Sequence, residues 1–278
     1  SGYQGLRLTK PTLAAFTNYP RPSKVADQFK PRRSQKKYGF YHSEAEIFKS
    51  LANDLQLHQL ANDQWCRHPL AFLVEAADDI CYHIIDLEDG CNLGLISHQD
   101  TIDLYAQVIG SKFDATKLKT IRSKAEQISL LRAMTIGVLI EQSTDHFLAN
   151  EEGILSGDYD ISLTDDIQAT PALEEIKNVS IEKIYRAQHV VEIEAAGFNV
   201  LNGLLESFVP AILSKSSMTK KQSIAFRLLP SDLKDEIKES KDTYTSLRAL
   251  LDYISGLTDS NAMSLYRKLT GISLPSMR

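Results

Sequence analysis

The sequence has few cysteines and no long uninterrupted run of apolar residues. Its three cysteines, Cys66, Cys81 and Cys91, are odd in number and lack the Cys-x-x-Cys spacing of a zinc site. They predict reduced thiols in a cytoplasmic protein. No apolar run reaches the roughly 20 residues that a membrane-spanning helix needs, so we expect no membrane partner.

The sequence also lacks an excess of positive charge. Its formal net charge is −5, so no global basic surface indicates a nucleic-acid partner, and an effector role for nucleic acid is not indicated. Basic residues are dense only between Lys30 and Lys37. Two interpretations of that run stay open, a solvated loop and a contact with an anion or phosphate.

Apolar residues at three- and four-residue spacing predict helices along most of the chain. Ser43 and Glu46 have capping-box spacing, which predicts a helix from Glu44 to about Asp54. The other predicted helices cover residues 12–18, 69–90, 97–108, 118–150, 172–186, 190–213, 220–229, 243–257 and 261–269. Residues 153–171 are predicted to be an exposed acidic connection. Since strand signals are weak, the fold class is all-α, with residues 1–278 as a single domain.

The predicted helix 69–90 carries the strongest functional signal. Pro69 suits its first turn and Gly90 suits its C-terminal cap. Apolar residues cover most of its circumference, which predicts a central position in the fold. A polar stripe nevertheless recurs every three or four residues. Its members are Glu75, Asp78, Asp79, Tyr82, Asp86 and Asp89.

The acidic stripe has two interpretations. It is either a solvated helix face or a binding site, and no Lys or Arg lies within the segment to balance it. Burying stacked carboxylates costs several kcal/mol unless a cation is present. A divalent metal, or a polar ligand beside one, would offset that cost.

Asp78, Tyr82 and Asp86 line one face of this helix over roughly 12 Å, because they are spaced i, i+4 and i+8. Asp78 at one end could bind a metal, Tyr82 in the middle presents an aromatic ring, and Asp86 at the far end could accept hydrogen bonds from hydroxyl groups. This order suits a nucleotide whose phosphates approach the metal. His83 is expected to face away from the line.

Residues 68–82, HPLAFLVEAADDICY, with DLEDG at 86–90, strongly resemble the bacterial dGTPase-like deoxynucleotide triphosphohydrolases of the HD superfamily. The similarity extends to both sides of the helix. The flanking segments that resemble the family are 5–9, 12–16, 19–20, 38–44, 184–186, 190–197, 253–259 and 265–269. The resemblance therefore covers nearly the whole chain.

The resemblance implies hydrolysis of a dNTP, with dGTP one candidate, to a deoxynucleoside and inorganic triphosphate near a divalent ion, Mg²⁺ or Mn²⁺. It implies that Asp78 is a metal ligand and that Tyr19, Tyr82 and Asp86 bind the substrate. The Tyr82 ring would crowd the 2′ position, and Asp86 would accept from the 3′-OH. It further implies an HD-domain-like helical bundle, here its C-terminal portion, and a homo-oligomer.

The family's upstream metal ligands, a His and a His-Asp pair, have no match in this sequence. No His-Asp dipeptide occurs, and the seven histidines do not supply these ligands. We therefore expect a fragment of a longer enzyme that holds no catalytic residue and is inactive alone. Asn18 stands where many members carry a phosphate-binding Lys, so Arg7, Lys10 or the run 32–37 would have to replace it.

Two alternatives to this function stay open. One is a non-catalytic helical module for oligomerisation or regulation, because the predicted helices 190–213 and 243–257 are apolar enough to be subunit contacts. The other is an HD phosphohydrolase that acts on a different nucleotide. The base preference does not follow from the sequence.

Overall fold

The computed structural model describes residues 6–23, 32–214 and 217–272. It is almost entirely helical, which confirms the all-α prediction. The chain forms two compact units, Ser1–Ala187 and Gln188–Arg278, which are described separately below. The single domain predicted over residues 1–278 stays a prediction. Gly5 and Lys30, which belong to segments singled out in the sequence, lie outside the described residues.

The first unit contains eight of the described helices and a short hairpin. Its α-helices are α1 (Lys10–Ala15), α2 (Ala45–Asp54), α3 (Pro69–Asn92), α4 (His98–Ile109), α5 (Ala115–Lys119), α6 (Lys124–Ala149), α7 (Glu151–Ser156) and α8 (Thr170–Val179). A π-helical segment, Ser180–Tyr185, follows α8 directly. Strands β1 (Gln59–Ala61) and β2 (Gln64–Trp65) pair antiparallel. Single 3₁₀ turns lie at Arg33–Gln35, His42–Glu44, Gly110–Lys112 and Leu163–Asp165.

The main core of this unit lies where α3 and α4 pack against α6. Ile84 and Leu87 of α3, Tyr105 of α4 and Leu139 of α6 are fully buried there. The Tyr105 hydroxyl donates to the Ile84 carbonyl at 2.9 Å and ties α4 to α3. α3 is therefore a central helix, as its apolar circumference predicted.

Several predicted helix ends differ from the structure. The helix predicted over residues 12–18 is α1, Lys10–Ala15. The Glu44 carboxylate accepts from the Tyr41 amide at 2.8 Å, so the capping contact lies two residues before Ser43, and α2 begins at Ala45. Gly90 is buried inside α3, which continues to Asn92. The left-handed turn that ends this region falls at Gly94, whose φ is +73°.

The predicted connection over residues 153–171 is partly buried. Leu163 and Ser162 have no solvent exposure, because the 3₁₀ turn Leu163–Asp165 packs against α3 and α6. The predicted helix over residues 118–150 is two helices, since α5 ends at Lys119 and Ser123 caps α6. Both departures follow from tertiary contacts and capping that hydrophobic spacing does not encode.

The second unit is built from α9 (Gln188–Leu213), α10 (Lys220–Leu228), α11 (Ser231–Glu239), α12 (Thr243–Ser255) and α13 (Asp259–Thr270). Helices α10, α12 and α13 pack against α9. Leu204, Phe208, Ile237 and Leu250 are fully buried between these helices. The sequence pattern does not predict α11, because only Leu233 and Ile237 mark its apolar side.

α9 is the one helix in the described part of the chain that is long and apolar enough to cross a membrane. Only 28% of its most apolar window is buried, and Ile193 and Phe198 are exposed. Length and composition alone are weak evidence for a membrane span, because core helices of soluble proteins share both properties.

Candidate functional site

The site is built on α3, which begins at a histidine cap. His68 Nδ1 accepts from the Leu70 amide at 3.2 Å, and Pro69 occupies the first helical position. Burial lowers the pKa of the His68 imidazole. The neutral ring is therefore favoured, and only a neutral ring has the lone pair that this contact needs.

Glu75, the first carboxylate of the stripe, is neutralised by arginines from outside the helix. Arg67 Nη1 donates to Glu75 Oε2 at 2.6 Å, and Arg33 Nε lies 3.5 Å from Oε1. The Arg67 side chain is almost fully buried, with its guanidinium 4.0 Å from the centre of the Phe72 ring. The absence of Lys and Arg within the helix thus does not indicate a metal at Glu75.

Two members of the basic run near the start of the chain, Arg32 and Arg33, form ion pairs. Arg32 pairs with Asp160 at 3.5 Å, and Arg33 pairs with Asp165. Both arginines hold the segment around the Arg33–Gln35 turn against the region between α7 and α8. A structural role in ion pairs accounts for these two residues.

Asp79 is held by hydroxyl groups. Ser162 Oγ donates to Asp79 Oδ2 at 3.0 Å and Thr164 Oγ1 donates to the same oxygen at 2.8 Å. Thr170 Oγ1 in turn donates to the Thr164 carbonyl at 2.9 Å. This network fixes the turn between α7 and α8 on α3 and leaves Asp79 partly buried.

Asp86 is joined to Tyr185, which the sequence interpretation does not assign to the site. The Tyr185 hydroxyl donates to Asp86 Oδ2 at 2.5 Å, and the Tyr82 and Tyr185 ring centroids are 5.7 Å apart. Burial, followed by hydrogen bonds to Asp86 and Tyr82, raises the pKa of the Tyr185 phenol. The hydroxyl therefore stays a donor at neutral pH.

Two local features bring Tyr185 to α3. Tyr185 ends the π-helical segment, a wide turn that is often found at functional sites. The neighbouring Ile184 packs directly on Gly90, where a Cβ would lie 2.6 Å from Ile184 Cδ1. Gly90 is therefore the close-contact point between α3 and the segment that carries Tyr185.

A cavity of about 210 Å³ with chiefly apolar walls opens beside the two tyrosines. Its lining consists of Tyr82, His83, Lys177, Ser180, Ile181 and Tyr185. A second cavity of about 150 Å³ shares His83 and Lys177 with it and reaches Asp79. His83, which helix geometry predicts to face away from the line of Asp78, Tyr82 and Asp86, lines both cavities. Its Nδ1 is 2.7 Å from the Asp79 carbonyl oxygen.

Asp78 lies on α3 one turn before Tyr82 and is exposed to solvent. No hydrogen bond or ion pair reaches its carboxylate from any described residue. The described residues also contain no group of three His, Cys, Asp or Glu side chains that could hold a metal ion. The described part of the chain therefore does not form a metal site by itself.

Tyr19 occupies a different environment from Tyr82 and Asp86. Its half-buried ring lies 5.8 Å from Lys37 Nζ, and its carbonyl approaches Gly39 so closely that a Cβ there would clash with it. Among the described residues no hydrogen bond or ring contact joins Tyr19 to Tyr82 or Asp86. Its substrate-binding role stays a prediction.

Comparison with known proteins gives the context for this site. The phosphohydrolase-associated domain family matches residues 163–268, which include Tyr185. A deoxyguanosinetriphosphate triphosphohydrolase-like protein of Synechocystis is 37% identical over 97% of this chain and 61% of its own length. The predicted family resemblance is confirmed.

Two further relatives carry the same kind of name. A deoxyguanosinetriphosphate triphosphohydrolase-like protein of Listeria monocytogenes is 32% identical over 97% of this chain and 61% of its own length. A deoxyguanosinetriphosphate triphosphohydrolase of Yersinia pestis is 27% identical over 95% of this chain and 60% of its own length. The chain thus spans about three fifths of the length of the curated relatives it matches.

Tyr185 shows what the sequence interpretation misses. The tripeptide 184–186 matches the family only as one of several flanking segments, with no role for its tyrosine. Nothing in its spacing connects it to Asp86, 99 residues earlier. Its part in the site becomes visible only from the fold.

Proposed function

We propose that this chain supplies the sugar-binding face of an enzyme that hydrolyses deoxynucleoside triphosphates, dGTP among them, to deoxynucleoside and inorganic triphosphate. The observation that carries the proposal is the Tyr185–Asp86 hydrogen bond beside the Tyr82 ring, at the wall of the apolar cavity. The names of the relatives support the same class of reaction.

The proposed sugar site uses each of the three side chains differently. Asp86 keeps a second carboxylate oxygen to accept from a 3′-hydroxyl, while Tyr185 holds the first. The Tyr82 ring, 56% exposed, offers an apolar surface to the 2′ carbon. A 2′-hydroxyl placed against that surface would lose its hydrogen bonds to water, which disfavours ribonucleotides.

We assign the triphosphate to the side of the cavity where Lys177 lies. Among the described residues, no carboxylate or other acceptor is bonded to its ammonium group, and Lys177 lines both cavities. Lys10 and Arg33, two candidates for this role from the sequence, are paired with Asp54 and Asp165. Lys177 is thus better placed than either to meet an anionic substrate.

We further propose that Asp78 contributes one carboxylate to a divalent ion, Mg²⁺ or Mn²⁺. Since the described residues do not complete a metal site, the other ligands and the groups that transfer protons are expected from residues outside the described set. Such an ion lowers the pKa of a bound water and stabilises phosphate charge. The chain tested by itself is expected to be inactive.

The test uses the whole protein, meaning this chain together with the residues that complete the metal site. It measures triphosphate release from dNTPs and NTPs in the presence of Mg²⁺ or Mn²⁺. Asp78→Asn should abolish turnover, whereas Asp89→Asn, a matched change of an exposed carboxylate on the same helix, should retain it. Tyr82→Ala should raise the rate with GTP relative to dGTP. Full turnover by the Asp78 variant, or hydrolysis with no preference for deoxyribose, would refute the assignment.

A second candidate function is a helical oligomerisation module. It is favoured by the exposed apolar side chains Ile193 and Phe198 on α9, with 68% and 72% of their surfaces accessible. We propose that they contact a second copy of the chain. Light scattering should show a smaller particle for Phe198→Asp but not for Leu148→Asp, a matched change of an exposed apolar residue on α6.

A further inference from the structure

A large groove lies entirely within the second unit, between α9, α10 and α13. Its volume is about 730 Å³, within the range of about 300–1,000 Å³ that is typical of small-molecule sites. Residues of all three helices line it, together with Thr219 at the start of α10. No residue of this groove belongs to the site on α3.

The charged groups of the groove favour an anion. Lys221 enters from α10 and Lys268 from α13, while Glu206 is the single acidic residue in the lining. No described residue provides a hydrogen bond or ion pair to either ammonium group. Two lysines from different helices thus line one groove with a single carboxylate, Glu206, so a ligand with negative charge would fit the excess of positive charge.

The remaining walls favour an apolar body on that ligand. Ile224 and Leu228 of α10 are about half exposed, 50% and 48%, on the groove side of the helix. Tyr266 forms part of the opposite wall, and its ring is pressed so closely against α9 at Gly203 that a Cβ there would clash with it. The tyrosine ring is therefore held in place by backbone and presents an aromatic surface.

One end of the groove is fixed by hydrogen bonds. The Gln222 side chain accepts from the Thr219 amide at 2.8 Å and donates to the Pro210 carbonyl at 3.4 Å. The second of these bonds joins the start of α10 to α9 and links two walls of the groove.

We propose that this groove binds a small organic anion with an apolar body, its negative group between Lys221 and Lys268 and its body against Ile224, Leu228 and Tyr266. Two kinds of molecule share this chemistry: a nucleoside phosphate, whose base stacks on Tyr266, and an alkyl carboxylate, whose chain covers the aliphatic wall. The groove shares no residue with the site on α3, and this proposal does not rest on the proposed hydrolysis.

The test uses the full chain and the fluorescent probe 1-anilinonaphthalene-8-sulfonate, an aromatic anion, with circular dichroism to verify folding. The double variant Lys221→Glu/Lys268→Glu should weaken saturable binding roughly tenfold. The control Lys220→Glu/Arg267→Glu makes the same charge change at the neighbouring positions of the same helices and should leave binding unchanged.

Two competitors identify the class of ligand. Displacement by guanosine 5′-monophosphate indicates the nucleoside phosphate, and displacement by decanoate indicates the alkyl carboxylate. Either result, together with sensitivity to the Lys221 and Lys268 charges, supports the site. Absence of saturable probe binding, equal loss in both double variants, or a probe that neither competitor displaces would overturn it.

Discussion

Gly90 and Ile184 are in such close contact that a Cβ on Gly90 would lie 2.6 Å from Ile184 Cδ1 and 2.9 Å from Cγ1. This contact allows the π-helical segment to reach α3 and places Tyr185 against Asp86. The alignment of the candidate sugar site therefore depends on a glycine one turn beyond Asp86.

Gly90→Ala should destabilise the protein by about 1–3 kcal/mol, because the added methyl group overpacks a buried contact. Urea denaturation measures the change. Gly137→Ala is the matched control, since Gly137 lies in α6 and no neighbouring atom comes within 4 Å of the position that a Cβ would occupy. There alanine should stabilise by about 0.5–1 kcal/mol. Equal effects at both glycines would contradict the packing argument.

Arg67→Ala should cost about 3 kcal/mol or more, because it leaves the buried Glu75 carboxylate without its closest partner. Lys112→Ala breaks the exposed pair with Glu141 and should cost at most about 1 kcal/mol. Thermal unfolding of the two variants compares them directly. A similar loss from both would show that Arg67 does not hold Glu75 in the folded protein.

The His68 cap predicts a pH dependence of stability. Burial holds the folded-state pKa of His68 below its ordinary value near 6.5. The folded state thus prefers the neutral ring, so this contribution is complete above about pH 6.5 and is lost as the pH falls through the lowered folded-state pKa. Replacement by Asn, a cap without a charge, should remove this component. An unchanged pH profile in His68→Asn would disprove it.

Tyr185→Phe should lower kcat/KM of the whole protein for dNTPs by roughly tenfold, the effect of one hydrogen bond to a charged group. The ring remains, so the apolar wall of the cavity is kept. Tyr253→Phe, in the second unit, removes a hydroxyl that takes no part in the described hydrogen bonds of Asp86 and should leave the rate unchanged. If Tyr185→Phe turned over at the unaltered rate, the Asp86 contact would have no part in binding.

The sequence is most informative about α3. Its start at Pro69, its central position and the shared face of Asp78, Tyr82 and Asp86 follow from local spacing, and the structure shows them in that form. Local spacing does not predict that Glu75 is neutralised, because its arginine partners lie 8 and 42 positions away in the chain. Long-range pairing of this kind has no periodic signal.

Two smaller elements escape prediction for different physical reasons. The β1–β2 hairpin has only five strand residues around Asn62 and Asp63, too few for an alternating pattern, and its turn uses a positive φ of 56° at Asp63 rather than a glycine. α11 escapes prediction because its apolar side consists of only two buried residues, Leu233 and Ile237, in an otherwise polar segment.

The charge pattern of α3 also bears on how the protein folds. The helix carries six carboxylates and no Lys or Arg, and Arg33, Arg67 and Arg132 reach it only from other segments. A peptide of residues 69–92 would repel itself at neutral pH, so α3 gains its full stability only after the chain on both sides has collapsed around it. The stability of α3 therefore depends on segments that are distant in the sequence, and Arg33, Arg67 and Arg132 supply the positive charge that its own residues lack.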